Sequence, residues 1–342
     1  MLYQLARNAL FKLDAETAHE LTIASFSRIP RLATLPFSRA AVEDPTTLLG
    51  LRFRNRVGLA AGLDKNGECL AAWERLGFGF VEIGTVTPRP QPGNPRPRMF
   101  RLPEHRALIN RLGFNNKGVD HLVEQVRASD YEGVLGINIG KNADTPIERA
   151  AEDYLICLRK VHAHASYVTV NISSPNTKNL RDLQSAQALN DLLSALAAER
   201  EILAQQQGRR VPMLVKIAPD MDADQLDAVA LAARAHGVDG LIATNTTITR
   251  PGVDAHPHGR ETGGLSGAPL RALADKTLRD LRVRLGQDFV LIGVGGVGSA
   301  ADAAAKQQAG ADLVQIYTGF IYEGPALVRD CARALATTTV DR

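Results

Sequence analysis

Apolar residues fall into two periodicities along this chain. From about residue 45 onward, short runs rich in β-branched or small apolar residues alternate with longer amphipathic stretches. Eight such runs occupy residues 55–62, 80–87, 134–141, 167–174, 212–219, 240–247, 290–297 and 313–320, each bounded by Gly, Pro or polar residues. That pattern predicts strands buried on both faces. Between most of them the spacing predicts crossover helices, over 147–163, 184–206, 222–236, 269–285 and 300–309. Eight βα units in register predict an α/β fold, a closed (β/α)8 TIM barrel more than an open doubly wound sheet.

Each run is apolar at its start and polar or glycine-rich at its end: Asp64-Lys65, Thr85, Asn138, Asn171, Lys216, Thr244-Asn245-Thr246, Gly295-Gly296 and Tyr317-Thr318. In a barrel the C-terminal strand ends and the loops after them build the active site. Recurrence at all eight ends is hard to assign to strand termination alone.

The first 40 residues differ, and they are expected to form an extension separate from a barrel domain over 41–342. Leu2, Leu5, Ala6, Ala9, Leu10 and Leu13 recur at helical spacing, then Ala18, Leu21, Thr22, Ile23 and Phe26, with Pro30 and Pro36 closing the segment. Arg7, Lys12, Arg28, Arg31 and Arg39 outnumber Asp14, Glu16 and Glu20. Two short helices with one apolar face and a basic excess fit a bilayer surface, and they fit equally a cap packed on the barrel.

Composition narrows the partners. The 342 residues are 45% hydrophobic and 23% charged with a net charge of +3, without the concentrated basic stripe of a nucleic-acid surface. Cys69, Cys157 and Cys331 lie far apart and form no Cys-x-x-Cys pair, which predicts buried free thiols in a reducing compartment. No apolar run reaches about 18 residues, and the N-terminus lacks the basic start and apolar core of a secretory signal, so a cytoplasmic placement is expected. The histidines form no metal-ligand spacing; His162/His164 and His256/His258 are expected at the surface, and no metal is expected.

Three features carry chemistry. Gly293-Val294-Gly295-Gly296 and Tyr317-Thr318-Gly319 end the last two runs, where barrels commonly hold a phosphate on backbone N–H groups, and Ser299 is placed to cap the following helix. Lys216 sits inside an apolar run, which predicts an ammonium facing a group that carries or develops negative charge, and Lys65 is a second cation suited to a carboxylate. Asn110, Asn115, Asn138, Asn171, Asn176 and Asn245 offer paired donors and acceptors, suited to a ring such as a pyrimidine or an isoalloxazine. A phosphate-binding isomerase or synthase would share the glycines without needing the asparagines, and a non-catalytic membrane-surface adaptor would leave the polar strand ends unexplained.

Four stretches together resemble dihydroorotate dehydrogenase: Asn171-Ile172-Ser173-Ser174-Pro175-Asn176-Thr177, Gly263-Gly264-Leu265-Ser266-Gly267, Ile292-Gly293-Val294-Gly295-Gly296 and Asn110-Arg111-Leu112-Gly113-Phe114-Asn115-Asn116. Serine at position 174, with the helical extension, resembles the class 2, quinone-dependent enzymes. The resemblance implies oxidation of dihydroorotate to orotate in de novo pyrimidine (UMP) biosynthesis, with FMN as hydride acceptor and a membrane quinone (ubiquinone or menaquinone) as final acceptor. It implies a peripheral protein on the cytoplasmic face of the cell membrane, held by the N-terminal helices. Ser174 would be the base opposite the flavin. Ala61, Gly62, Lys65, Thr85, Asn138, Asn171, Lys216, Thr244, Gly267, Gly296, Tyr317 and Thr318 would contact FMN. Lys65, Asn110, Arg111, Leu112, Gly113, Phe114, Asn171, Asn176, Asn245 and Thr246 would hold dihydroorotate. One departure is visible, Lys178-Asn179 after Thr177 where many relatives carry Pro-Gly.

Overall fold

A computed structural model describes residues 2–38 and 40–337. Each of the eight apolar runs contains one strand of a closed parallel barrel: Val57–Leu59, Phe80–Val86, Val134–Ile139, Tyr167–Asn171, Met213–Ile217, Gly240–Ala243, Val290–Val294 and Leu313–Ile316. Neighbours in the barrel are neighbours in sequence, and the eighth strand closes on the first through Val314 opposite Val57. The five expected crossover helices form at Ala150–Val161, Ala186–Gln207, Ala223–Ala235, Arg271–Leu285 and Ala300–Gln308. Asp222 and Ser299 cap two of them, accepting from Gln225 N and Asp302 N.

The barrel interior is filled in layers. Phe80, Tyr167, Leu214, Ile242, Ile292 and Leu313 pack together at the bottom, where Phe53 from a small hairpin (Thr46–Leu48 with Leu51–Phe53) plugs the end edge-on against Phe80. Gly136 makes room for this layer, since a Cβ there would sit 2.2 Å from the Tyr167 ring. Above lie buried polar side chains, Glu82, Asn138 and Gln315, and above these the open mouth. A second sheet of three antiparallel strands, Met99–Leu102, Ala107–Asn110 and Gly264–Gly267, lies over that mouth.

The N-terminal segment forms three helices, α1 (Leu2–Leu10), α2 (Ala15–Arg28) and α3 (Pro30–Thr34). Asp14 caps α2 by accepting from Glu16 N and Thr17 N. Pro30 does not close the segment: it occupies the first turn of α3, where its missing N–H costs nothing. The inner face packs on the barrel. Tyr3 Oη donates to Ile321 O at 2.7 Å, Phe26 lies edge-on to Trp73 at 5.3 Å, and Glu16 forms a buried ion pair with Arg98 at 2.6 Å. The outer face leaves Leu2, Leu5, Leu13, Leu21, Ile29, Leu32 and Leu35 exposed. Among the described residues no helix is long and apolar enough to cross a membrane.

The three cysteines are buried and unpaired, and burial pushes each thiol above its ordinary range. His162 departs from its expected surface position. It is fully buried beside the long helix Ala186–Gln207 and shares a hydrogen bond with Gln207 Oε1 at 2.8 Å. His256 is half-buried, while His258 is exposed against Phe100.

Candidate active site

The strand ends converge on one cleft of ≈ 980 Å³, counting the space at its open mouth. Its walls bring together nearly all of the residues singled out in the sequence. Ala61, Gly62, Lys65, Thr85, Asn171, Lys216, Thr244, Gly267, Gly296, Tyr317 and Thr318 line it, as do Asn110, Leu112, Gly113, Phe114, Ser174, Asn176, Asn245 and Thr246.

Three candidates lie outside the walls, and of these Asn115 lines a separate cavity beside α2. Asn138 is fully buried one layer below, donating to Glu82 Oε1 at 2.8 Å and accepting from Thr85 Oγ1 at 2.6 Å. Arg111 turns its guanidinium away from the cleft, to Glu261 at 2.7 Å and Pro97 O at 2.9 Å, with its face over the Phe100 ring. Asp64 is likewise structural: its carboxylate accepts from Glu68 N, Cys69 N and Trp73 Nε1.

Two ammonium groups dominate the electrostatics. Burial pushes Lys216 below the usual lysine range, opposed by the Glu82 charge. Burial also holds Lys65 at about 8, with Glu16 opposing that shift. Neither ammonium has a hydrogen-bond partner among the described residues. A desolvated cation without an acceptor fits a ligand anion. Thr246 Oγ1 and Gln315 Oε1 are also buried in the cleft wall without partners.

At one end the wall is backbone. Gly295 and Gly296 adopt φ 110° and 77°, and a Cβ at Gly296 would lie 2.4 Å from Arg271 Cβ. Only glycine allows both that conformation and that closeness. This end presents main chain from Gly295, Gly296 and Gly319, a cradle of the kind that takes a phosphate.

At the other end the asparagines face one another. Asn176 Nδ2 donates to Asn110 Oδ1 at 3.3 Å, and Asn245 Nδ2 donates to Ser173 Oγ at 3.0 Å. Ser174 is buried in the loop between them, its Oγ accepting from Asn176 N at 3.3 Å. Three residues on, the Thr177 hydroxyl is buried without a partner. Sequence reasoning missed Glu82, Ser266, Leu270, Gln315 and Thr177. Gln315 is an inward polar residue in an apolar strand, the same signal that singled out Lys216.

A second cavity of ≈ 1010 Å³ lies between α1, α2 and the barrel. Its walls are mainly apolar, Leu10, Ala18, Ile23, Phe26 and Phe320 among them, and it shares the Tyr317 side of the cleft. Arg7, His19, Thr22 and Arg101 are its polar exceptions, and burial pushes the His19 imidazole down to about 3, so that it is neutral near pH 7.

The family profile described as dihydroorotate dehydrogenase matches residues 45–338. A Burkholderia cenocepacia protein is 56% identical over 336 residues, covering 98% of this chain and 97% of its own. One from Thiobacillus denitrificans is 58% identical over 336 residues, covering 98% and 100%. Both are named dihydroorotate dehydrogenase (quinone). The crystal structure of the Eimeria tenella enzyme in complex with ferulenol superposes with a TM-score of 0.87 at 38% identity, covering 94% of this chain and 90% of that one. The chain therefore belongs to the dihydroorotate dehydrogenase family.

Proposed function

We propose that this chain oxidises dihydroorotate to orotate in pyrimidine biosynthesis, binding FMN in the barrel-mouth cleft and passing the electrons to a membrane quinone. The observation that carries the reading is the pair of unpartnered ammonium groups, Lys65 and Lys216, in a cleft that ends in a glycine cradle. Such a cleft fits one phosphorylated, electron-accepting cofactor and one carboxylate substrate. When bound, FMN supplies the two-electron acceptor.

The protein's own part is positioning and proton transfer. Gly295, Gly296 and Gly319 take the phosphate, and Lys216 faces the ring where negative charge develops. Ala61, Gly62, Thr85, Asn171, Thr244, Gly267, Tyr317 and Thr318 complete the cofactor walls, with Asn138 acting from below through Thr85. Lys65 holds the substrate carboxylate, while Asn110, Asn171, Asn176, Asn245 and Thr246 orient its ring beside Leu112, Gly113 and Phe114. Arg111 stands outside this set, its side chain committed to Glu261 and its backbone to Arg98 O and Asn94 Nδ2.

Ser174 Oγ takes the proton from the substrate carbon. Its burial beside the substrate asparagines supports that role, and a poor base needs a partner to carry the proton onward. The second cavity fits the quinone ring: apolar, walled by the first 40 residues, and meeting the cleft at Tyr317. Seven large apolar side chains exposed on those helices and the turns between and after them support docking to a membrane surface.

The reading is tested by purifying the full chain and recording its visible absorbance. A flavin band that bleaches anaerobically with dihydroorotate and returns on adding quinone is expected. A colourless protein that takes up no FMN refutes it.

A further inference from the structure

Below the cleft lies a carboxylate that touches neither proposed ligand. Glu82 points into the barrel from the second strand and is fully buried. Its two oxygens accept from Asn138 Nδ2 at 2.8 Å, Gln315 Nε2 at 2.8 Å and Tyr167 Oη at 3.0 Å. Among the described residues three donors converge on it and no acceptor does.

A carboxylate ion only accepts, so the polarity of everything above it follows. Asn138 must turn its amide nitrogen down and its oxygen up. That oxygen accepts a hydrogen bond from the Thr85 hydroxyl at 2.6 Å, which leaves Thr85 Oγ1 to accept from Asn171 Nδ2 at 2.9 Å. Asn171 Oδ1 then faces Ser173, accepting from its Oγ at 3.1 Å. Gln315 is ordered in the same way, with Nε2 on Glu82 and Oε1 left buried and unpartnered. Thr85, Asn171 and Gln315 all line the cleft.

We infer that Glu82 is a positioning residue for the cofactor site: one acceptor-only carboxylate sets the donor and acceptor sense of the floor, and its charge holds the Lys216 ammonium facing the same cofactor. This rests on the reading of the cleft as an FMN site. Among the described residues Glu82 is the charged group that acts on Lys216, opposing the burial that pushes its ammonium below the usual range. Tyr167, pushed well above its usual range by burial and by Glu82, stays a neutral donor. Lys65 shares the cleft and titrates separately, at about 8.

The test follows FMN affinity of the full chain from about pH 7 to about pH 10, read by free-flavin fluorescence, in the wild type, Glu82→Gln and Lys216→Met. The alkaline loss of affinity that disappears in Lys216→Met belongs to that ammonium. In Glu82→Gln it should set in about one pH unit lower, because a nearby opposite charge has been removed. At the upper end that is about tenfold weaker FMN binding. An unmoved limb in a Glu82→Gln protein that binds FMN overturns the inference. Should Glu82→Gln not fold, Glu82→Asp withdraws the charge by one methylene and should move the limb the same way by less. An unmoved limb there overturns the inference equally. Tyr167→Phe keeps the charge and must leave the limb in place; displacement as large as in Glu82→Gln would reduce the effect to a loosened floor and overturn it too. A wild type that takes up no FMN at any pH removes the cofactor reading, and the inference with it.

Discussion

Glu16→Gln should uncouple the N-terminal helices from the barrel while leaving the FMN end of the cleft intact. Glu16 lies in the first turn of α2 and is nearly fully buried against Arg98, which donates to it from Nε at 3.0 Å and from Nη2 at 2.6 Å. The amide keeps one acceptor but removes the counter-charge. Breaking a buried pair in this way costs about 3–5 kcal/mol, because the remaining charge is left uncompensated. Arg98 retains Pro92 O at 2.6 Å and Asn94 O at 2.7 Å, which places the cost at the lower end, about 3 kcal/mol. Against a total of about 5–15 kcal/mol that is a large fraction, and it falls entirely on the junction between α2 and the 91–98 loop.

The chain carries its own reporter of that junction. Trp73 is its single tryptophan, and the ring packs edge-on against Phe26 of α2. Tryptophan emission should therefore melt at least about 4 °C lower in Glu16→Gln, the shift that about 3 kcal/mol gives at about 2.1 cal/mol/K for each of the 342 residues, while flavin release stays near its wild-type temperature. Well below either transition, bleaching by saturating dihydroorotate should reach the wild-type rate, while KM for dihydroorotate rises, because the Glu16 charge also supports the Lys65 ammonium. Turnover with quinone should fall severalfold, since Ala15, Ala18 and Phe26 of α2 wall the second cavity. An unmoved tryptophan transition, or one that falls together with flavin release, would refute the separate anchoring of α2.

Three further outcomes follow from the same geometry. Ser174→Ala should slow dihydroorotate-driven flavin reduction by about 10²–10⁴-fold with FMN still bound; unchanged single-turnover reduction removes Ser174 from the base role. Lys65 binds a carboxylate only as the ammonium, so KM for dihydroorotate should rise as pH climbs through about 8 and flatten below it. A KM independent of pH across that range, or the same profile in Lys65→Met, contradicts the assignment. Deleting residues 1–40 should impair quinone turnover and binding to lipid vesicles more than flavin reduction, and a folded truncation that uses quinone as well as the full chain contradicts the role of the extension.

The barrel was legible because each strand is buried on both faces and so reads as an unbroken apolar run, whereas the sheet over its mouth was not. Met99–Leu102, Ala107–Asn110 and Gly264–Gly267 form four-residue pairings, and the last joins residues about 150 positions apart, Leu265 opposite Ile109. Nothing local specifies such a strand, because its hydrogen-bond partner lies outside any window. Pro30 misled for a related reason: proline ends one helix and begins another with equal ease, and only α3 packed behind it decides which.

The split between Lys216 and Asn138 is of another kind. Both are inward polar residues near the ends of apolar strands, and by sequence they are equivalent. The ladder separates them. Lys216 stands opposite Asn171, the last residue of its strand, while Asn138 stands opposite Thr169, two residues lower. Two residues along a tilted strand are about 6–7 Å, enough to move a side chain from the cleft wall into the layer beneath it. Height in a barrel is fixed by the stagger of all eight strands together, so a single strand cannot declare it. This is also why Glu82 escaped notice: its run ends in Thr85, which has the look of the functional residue, and the carboxylate three positions earlier acquires its meaning only when Asn138, Tyr167 and Gln315 are brought to its own height by their own strands.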